Sequence, residues 1–468
     1  MISIKELFEL FAHVTPVDPK KAIERAYVLG RLARWLAIGV VAGLLSAIGI
    51  IAFLKLLYTG IGYAQEAGPF WWALLPVGGF ISTLLIMKVA PLAFGHGTEA
   101  VIRSVNKGNG NIPFIVAPVK AVATVISIAS GASLGKEGPS AQIGGAITST
   151  LGRVLKLDKE DQRRITLCGL AAGFSIVSGA PIAGAIFATE ALVLGSLNYS
   201  YLLPSLVTSV TSVYAARLLD EKFALHIYHP LWDIAKRGEL FKGIESFSIQ
   251  HNLPLLLITV LGAVLIGSAA MLFTKAAEAS EGVFHKIKLW APLKTSLGGV
   301  VLILMALVFG REYLGLGMHE LCDPALEGEL VPYYAFAVKI LFVAVSLGCG
   351  FSGGAMTPIF VIGSVAGAAL GRALGMDIQF AAGIGIVSFL AGAANTPITA
   401  AVLGLELFGP TFGIYGAIAA MIAYTVSGHD SINASQIFGG PKICYGETCE
   451  WLGHSFEEIH MHNMDIPD

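Results

Sequence analysis

The sequence predicts an all-α, polytopic membrane protein whose chain contains one set of broken helices twice. Three observations predict it: an apolar composition, apolar tracts along the whole chain, and three pairs of Gly/Pro motifs at a near-constant offset. Of the 468 residues 55% are hydrophobic and only 13% charged, with mean hydropathy +0.73. Soluble domains carry about 25% charged residues.

Apolar tracts occur at 35–57, 71–94, 253–274, 297–309, 334–351 and 398–426. Several approach the ~20 residues that span about 30 Å of hydrocarbon. Others are short and interrupted, and the chain has 55 Gly and 20 Pro. Irregular backbone at membrane depth is tolerated only where protein or a water-filled cavity covers it, so the composition points to a transporter or channel. Lys20, Lys21, Arg25, Arg31 and Arg34 precede the first tract, which by the positive-inside rule places the N-terminus in the cytoplasm. No cleavable signal is expected. A net charge of −2 gives no reason to expect a nucleic-acid partner.

The internal repeat is the strongest organisational signal. GKEGPSAQIGGAITSTLG (135–152) matches GAMTPIFVIGSVAGAALG (354–371) in its first Gly, its Pro, an Ile-Gly and a final Leu-Gly, at an offset of 219. GAPIAGAIFATEAL (179–192) matches NTPITAAVLGLELF (395–408) at 216, and GHGTEAVIRSVNKG (95–108) matches GLGMHELCDPALEG (315–328) at 220. The expected organisation is a cytoplasmic segment 1–30, a first membrane repeat 31–217, a linker 218–250, a second repeat 251–440 and a short cytoplasmic tail 441–468. In such proteins the substrate site lies where the broken helices meet, near the bilayer midplane.

Each motif is a Gly-rich break that opens an apolar helix, so helix N-termini with unpaired amides and positive dipole ends face inward. No carboxylate cluster offers the oxygen cage that hard cations need. Anions are the expected cargo. Glu137, a carboxylate at an anion-attracting N-terminus, mimics the anion; protonation releases it, so it serves as gate and proton carrier. Lys136 adds positive potential; the alternative is that it simply points to an aqueous vestibule.

GKEGP, GAPIAGAIFATE and GGAMTP together resemble the CLC family of chloride channels and proton-coupled anion antiporters, over residues of about 30 to 440. The resemblance implies two inverted-topology repeats of tilted, broken helices per subunit, a homodimer with one anion pathway in each subunit, and Glu137 as the external gating glutamate. Carried over residue by residue, it implies an anion site formed by His96, Gly97, Gly135, Lys136, Gly138, Ala355, Met356, Thr357 and Asn433. His96 stands where the family usually has Ser, which makes binding pH-sensitive. Met356 stands at a usual Phe, and Asn433 at the usual Tyr, with Tyr424 as the alternative for that role.

One departure bears on mechanism. The internal Glu of many antiporters falls at position 191, which is Ala here, while Glu190 and its mate Glu406 are expected to be structural, buried against backbone amides. Thr357-Pro358 resembles the fluoride-exporting branch, but that branch carries Met at the His96 position and Glu at the Ala355 position. The tail residues Cys444, Cys449, His454, His460 and His462 are a weak zinc pattern; no metal, cofactor or enzymatic activity is expected. The function expected is transmembrane anion transport, chloride foremost, coupled to proton antiport. The alternatives are a passive gated chloride channel and a fluoride/proton antiporter. The protein is expected in the plasma or inner membrane, in contact with lipid, with both termini cytoplasmic.

Overall fold

A computed structural model describes residues 19–223, 225, 249–442, 453–456, 458 and 459. The linker residues 226–248 and the tail residues Cys444, Cys449, His460 and His462 lie outside the described residues. The first half runs α1 (Pro19–Glu66), α2 (Leu75–Val89), α3 (Thr98–Lys107), α4 (Val116–Ala129), α5 (Glu137–Val154), α6 (Lys159–Ser178), α7 (Pro181–Glu190) and α8 (Tyr199–Lys222). The second half runs α9 (Ile249–Lys286), α10 (Ala291–Phe309), α11 (Asp323–Glu327), α12 (Ala335–Gly348), α13 (Met356–Leu374), α14 (Ile378–Ala394), α15 (Pro397–Phe408) and α16 (Pro410–Val426). Six of the described helices are long and apolar enough to cross a membrane.

Pro opens α7, α15 and α16 within their first two positions, where its missing N–H costs nothing and its fixed φ suits the helix. The Gly that precedes α16 and the Asn395 that ends α14 adopt positive φ, so the chain reverses sharply between short helices. A π-helical turn, Met318–Cys322, leads into α11 where the first half has the start of α3.

The halves contact each other reciprocally. The Ser133 amide donates to Ser346 Oγ at 3.1 Å, and the Ser352 amide donates to Ser127 Oγ at 3.2 Å; both pairs are related by 219 residues. Lys120 and Lys339, also 219 apart, are each fully buried. Lys120 Nζ donates to the carbonyls of Ala93 and Gly95, and Lys339 Nζ to those of Tyr313 and Gly315. Exchange of equivalent contacts in both directions is the mark of a two-fold relation, here within one chain. Close helix crossings repeat as well. Gly144 of α5 meets Gly169 of α6, and Gly363 of α13 meets Gly385 of α14; a side chain at any of the four would overlap the facing backbone, as small-residue crossings in membranes require.

Two opposite faces can be distinguished along α1. Arg31 and Arg34 lie 3.6 and 3.5 Å from Asp161, at the start of α6. Tyr58 is 24 residues further along the helix, or about 36 Å at 1.5 Å per residue, and accepts a hydrogen bond from Lys136 Nζ at 2.6 Å. The Asp161 face also carries the end of α3, through Arg163 and Asn109, and a parallel pair of short strands, β1 (Val193–Leu194) and β2 (Ile437–Phe438). Phe456 and Ile459 pack on Leu194 and Phe438, and Glu458 binds Lys107 at 3.0 Å.

Candidate anion site and gate

The breaks before α5 and α13 bind each other directly. The Gly135 amide donates to the Gly354 carbonyl at 2.7 Å, and the Gly354 amide returns a bond to Gly135 at 2.8 Å. This antiparallel bridge brings the two helix N-termini together, so their unpaired amides and dipole ends act on one place. The crossing admits no side chains: a Cβ at Gly138 would meet the His96 carbonyl and Gly354, and one at Gly354 would meet the Gly138 amide at 2.7 Å.

Glu137 occupies the first position of α5 and is 3% exposed. Thr357 Oγ1 donates to its Oε2 and accepts from the Lys136 amide at 3.0 Å. One hydroxyl from the second half thus latches the carboxylate and the backbone that carries it. The repeat provides no second copy of this latch, because Met356 and Gly138 stand at the mates of Glu137 and Thr357. Lys136 is 5% exposed, with its ammonium on the Tyr58 hydroxyl and 5.2 Å from the centre of that ring.

The loop before α3 reaches the same place from the Asp161 side. Gly97 has φ +81°, and a Cβ there would strike the Gly138 carbonyl. Lys120 fastens the loop through the Gly95 carbonyl at 2.6 Å, and the His96 carbonyl faces Gly138 of α5. His96 Nδ1 is buried without a hydrogen-bond partner among the described residues. Asn433 is 2% exposed, and its Nδ2 also has no partner there. Each is a buried nitrogen without a partner among the described residues, where such groups are otherwise hydrogen-bonded. Ala355 and Met356 are buried at the start of α13. Tyr424 lies at the end of α16, its ring 4.0 Å beneath Lys442 Nζ and its carbonyl accepting from that ammonium at 2.6 Å.

Glu190 and Glu406 cap each other's repeat. Glu190 accepts from the amides of Ile398 and Thr399 at 2.9 and 2.7 Å and from the Thr399 hydroxyl at 2.6 Å. Glu406 accepts from the amides of Ile182 and Ala183 at 3.0 and 2.7 Å. Each carboxylate thus closes the N-terminus of α15 or α7, in the structural role expected of it. Ala191 is fully buried.

A family model described as voltage gated chloride channel matches residues 78–428. The chain belongs to the CLC family. A chloride/fluoride channel protein of Pseudomonas syringae pv. tomato is 30% identical over 426 residues, covering 90% of each chain. A voltage-gated ClC-type chloride channel, ClcB, of Escherichia coli O17:K52:H18 is 25% identical, covering 84% of this chain and 96% of its own. Among CLC structures, a CLC-type fluoride/proton antiporter superposes with TM-score 0.78 at 24% identity, over 86% of this chain and 98% of that one. A slow cyanobacterial Cl⁻/H⁺ antiporter does so with TM-score 0.71 at 18% identity, over 92% and 98%. These likenesses make the architecture a CLC fold.

Sequence reasoning did not single out Glu99, Ser435, Lys120 or Lys339. The lysines carried a readable signal, since each interrupts an apolar helix at the repeat offset. Glu99 and Ser435 are 336 residues apart, and nothing in the spacing pairs them.

Proposed function

We propose that this CLC protein moves anions, chloride foremost, across the plasma or inner membrane in exchange for protons, with Glu137 as gate and proton carrier. The seat of Glu137 carries the reading. A carboxylate held at two converging helix N-termini by Thr357 occupies the place an anion would take, and protonation weakens both its attraction to the dipole ends and its bond to the hydroxyl. The anion can then enter, meeting the backbone around Gly135, Gly138, Ala355, Met356 and Thr357 and, on the inner side, His96, Gly97 and Asn433. Lys136 contributes charge from behind. We assign the protein transport and no catalysis.

The Asp161 face carries Arg31, Arg34, Arg103, Lys107, Arg163 and Arg164, which supports its being cytoplasmic under the positive-inside rule. Both termini then lie inside. Ile182, Ile398, Leu405 and Ile414, on α7, α15 and α16, are 43–48% exposed beside the seam closed by Glu190 and Glu406, and support a homodimer packed through that surface within the lipid. The extents of the repeats, 31–217 and 251–440, with 1–30, 218–250 and 441–468 outside them, belong to the same proposal.

Ala191 favours a second reading, a passive gated channel, because no carboxylate stands at the usual internal position. Thr357-Pro358 and the chloride/fluoride name of the Pseudomonas relative favour fluoride as a further cargo; His96 and Ala355 oppose it. The experiment is a chloride gradient across proteoliposomes: uphill proton movement establishes exchange, and chloride flux without protons establishes the channel.

A further inference from the structure

We propose that Glu99 and His96 form the inner proton relay, with Glu99 as the carboxylate that exchanges protons with the cytoplasmic mouth in place of the one absent at position 191. This rests on the antiport reading. Proton exchange needs a titratable group that reaches both water and the anion pathway, and position 191 offers none. Its neighbours Thr189 and Leu192 line a cavity of about 260 Å³ with Asn106, Arg163, Asn198 and Tyr201, and no carboxylate among the described residues lines it. Glu190, next in the chain, has both oxygens committed to α15.

Glu99 is set apart from Glu160, Asp161 and Glu458 by its place in the chain. Glu160 and Asp161 pair with arginines at the start of α6, and Glu458 pairs with Lys107. Glu99 stands next to the anion loop, three residues after His96. Its two oxygens have different surroundings. Oε1 accepts from Arg103 Nη2 at 2.7 Å and from Ser435 Oγ at 3.1 Å. Oε2 lies 3.9 Å from His96 Nδ1, the nitrogen left without a partner. The Glu99 side chain is 12% exposed and that of His96 19%, so both side chains reach the surface while one ring nitrogen is buried. A proton-transfer pair commonly stands this far apart at rest and closes during the cycle.

The step balances as follows. A proton taken from water on Glu99 Oε2 passes to His96 Nδ1, restoring the carboxylate and making the ring an imidazolium. Loss of the Nε2 proton toward the pathway leaves a neutral ring protonated at Nδ1, and a ring rotation or exchange of that proton with water restores the Nε2–H tautomer before the next proton enters. The charged groups around the ring are Glu99 and Arg103 on α3, Lys120 on α4 beneath Gly95, and Lys136 and Glu137 on α5, whose Gly138 touches the loop. Ser435 and Asn433 on the return segment are uncharged. Arg103 explains how an anion mouth tolerates a carboxylate: it offsets the charge of Glu99 at 2.7 Å. Ser435 holds the same oxygen, and Asn106 Nδ2, one turn on, bonds the Ser435 carbonyl at 3.0 Å, tying the relay to the segment that carries Asn433.

The test measures chloride and proton flux in proteoliposomes driven by a chloride gradient. The protons moved per chloride should fall at least about tenfold in Glu99→Gln and should be retained in Glu99→Asp, which keeps a titratable oxygen. An unchanged ratio in Glu99→Gln, with protons moving in the native protein, overturns the relay and leaves antiport standing. Native protein that moves no protons overturns both. Chloride flux lost with the protons in a Gln variant that folds marks a structural role and also overturns the relay. If Glu99→Gln does not fold, His96→Asn must produce the same fall in the ratio.

Discussion

Gly135 and Gly354 exchange two backbone hydrogen bonds, at 2.7 and 2.8 Å, although 219 residues separate them. The bridge fixes where two helix dipoles meet, and with it the seat of Glu137. Gly354→Ala would place a carbon 2.7 Å from the Gly138 amide, and neither backbone can yield without parting the bridge. Gly354→Ala should therefore abolish saturable anion binding in calorimetry even where detergent-solubilised protein remains monodisperse.

Glu137→Gln keeps the shape of the gate and removes its charge. Anion flux should persist without pH dependence, and coupled proton movement should vanish. Ala191→Glu should leave anion flux largely intact, because the pathway already operates without a carboxylate there. Retention of native pH dependence by the Gln variant in a flux assay would remove Glu137 from its assigned role.

Thr357→Val removes the hydroxyl that bonds Glu137 while keeping the volume. A hydrogen bond to a charged group is worth about 1.5–3 kcal/mol, so the latched gate should lose on the order of ten- to a hundredfold in population. Anion flux at neutral pH should rise toward its acid-pH value. A flux–pH profile that superimposes on the native one would show that the hydroxyl does not hold the gate.

Protonation of His96 gives the ring a second N–H and a positive charge, so anion affinity should be higher at pH 5 than at pH 8. His96→Ser should flatten that dependence. Calorimetric titrations at pH 5 and 8 decide it, and equal native affinities would take the ring out of the site.

Outside the membrane, the Ser455 amide and then Lys107 hold the Glu458 carboxyl below the ordinary carboxylate range. A lowered folded value means that the docked tail is favoured above the unfolded value, about 4.3, and loses that support as the pH drops through the folded one. Amide exchange over 453–459 should accelerate in that window, and Glu458→Gln should make it independent of pH.

Much of the architecture is legible in the sequence because bilayers impose it: tract length gives helices, Gly and Pro give their breaks, and the offset gives the two halves. Glu137 is legible for the same reason, as an acid inside a break. Glu190 and Glu406 were readable as structural because each falls at the same place in its repeat. The partners of side chains that cross between elements are not legible. Lys136 finds Tyr58 through the length of α1, and Glu99 finds Ser435 only after the second half has folded back. Neither pairing has a period, so no spacing rule predicts it.

The two carboxylate caps differ in the number of groups they satisfy. Removing Glu190 strands the amides of Ile398 and Thr399 and the buried Thr399 hydroxyl, each unmet buried group costing about 1–3 kcal/mol, whereas Glu406 meets two amides and no hydroxyl. Glu190→Ala should lower the melting temperature in detergent more than Glu406→Ala; the reverse order would mean that the caps do not carry the stability of this seam.

The reciprocal bonds also set a timetable for biogenesis. When α7 leaves the ribosome, the acceptors for its first amides have not been made, and Ser133 has no Ser346 to bind. At about 5–20 residues per second, the matching segments follow on the order of ten to forty seconds later. Through that interval the nascent first half is inserted but unfinished, with helix N-termini open inside the bilayer, and a chain truncated after α8 is a lasting copy of that intermediate and a natural client for membrane quality control.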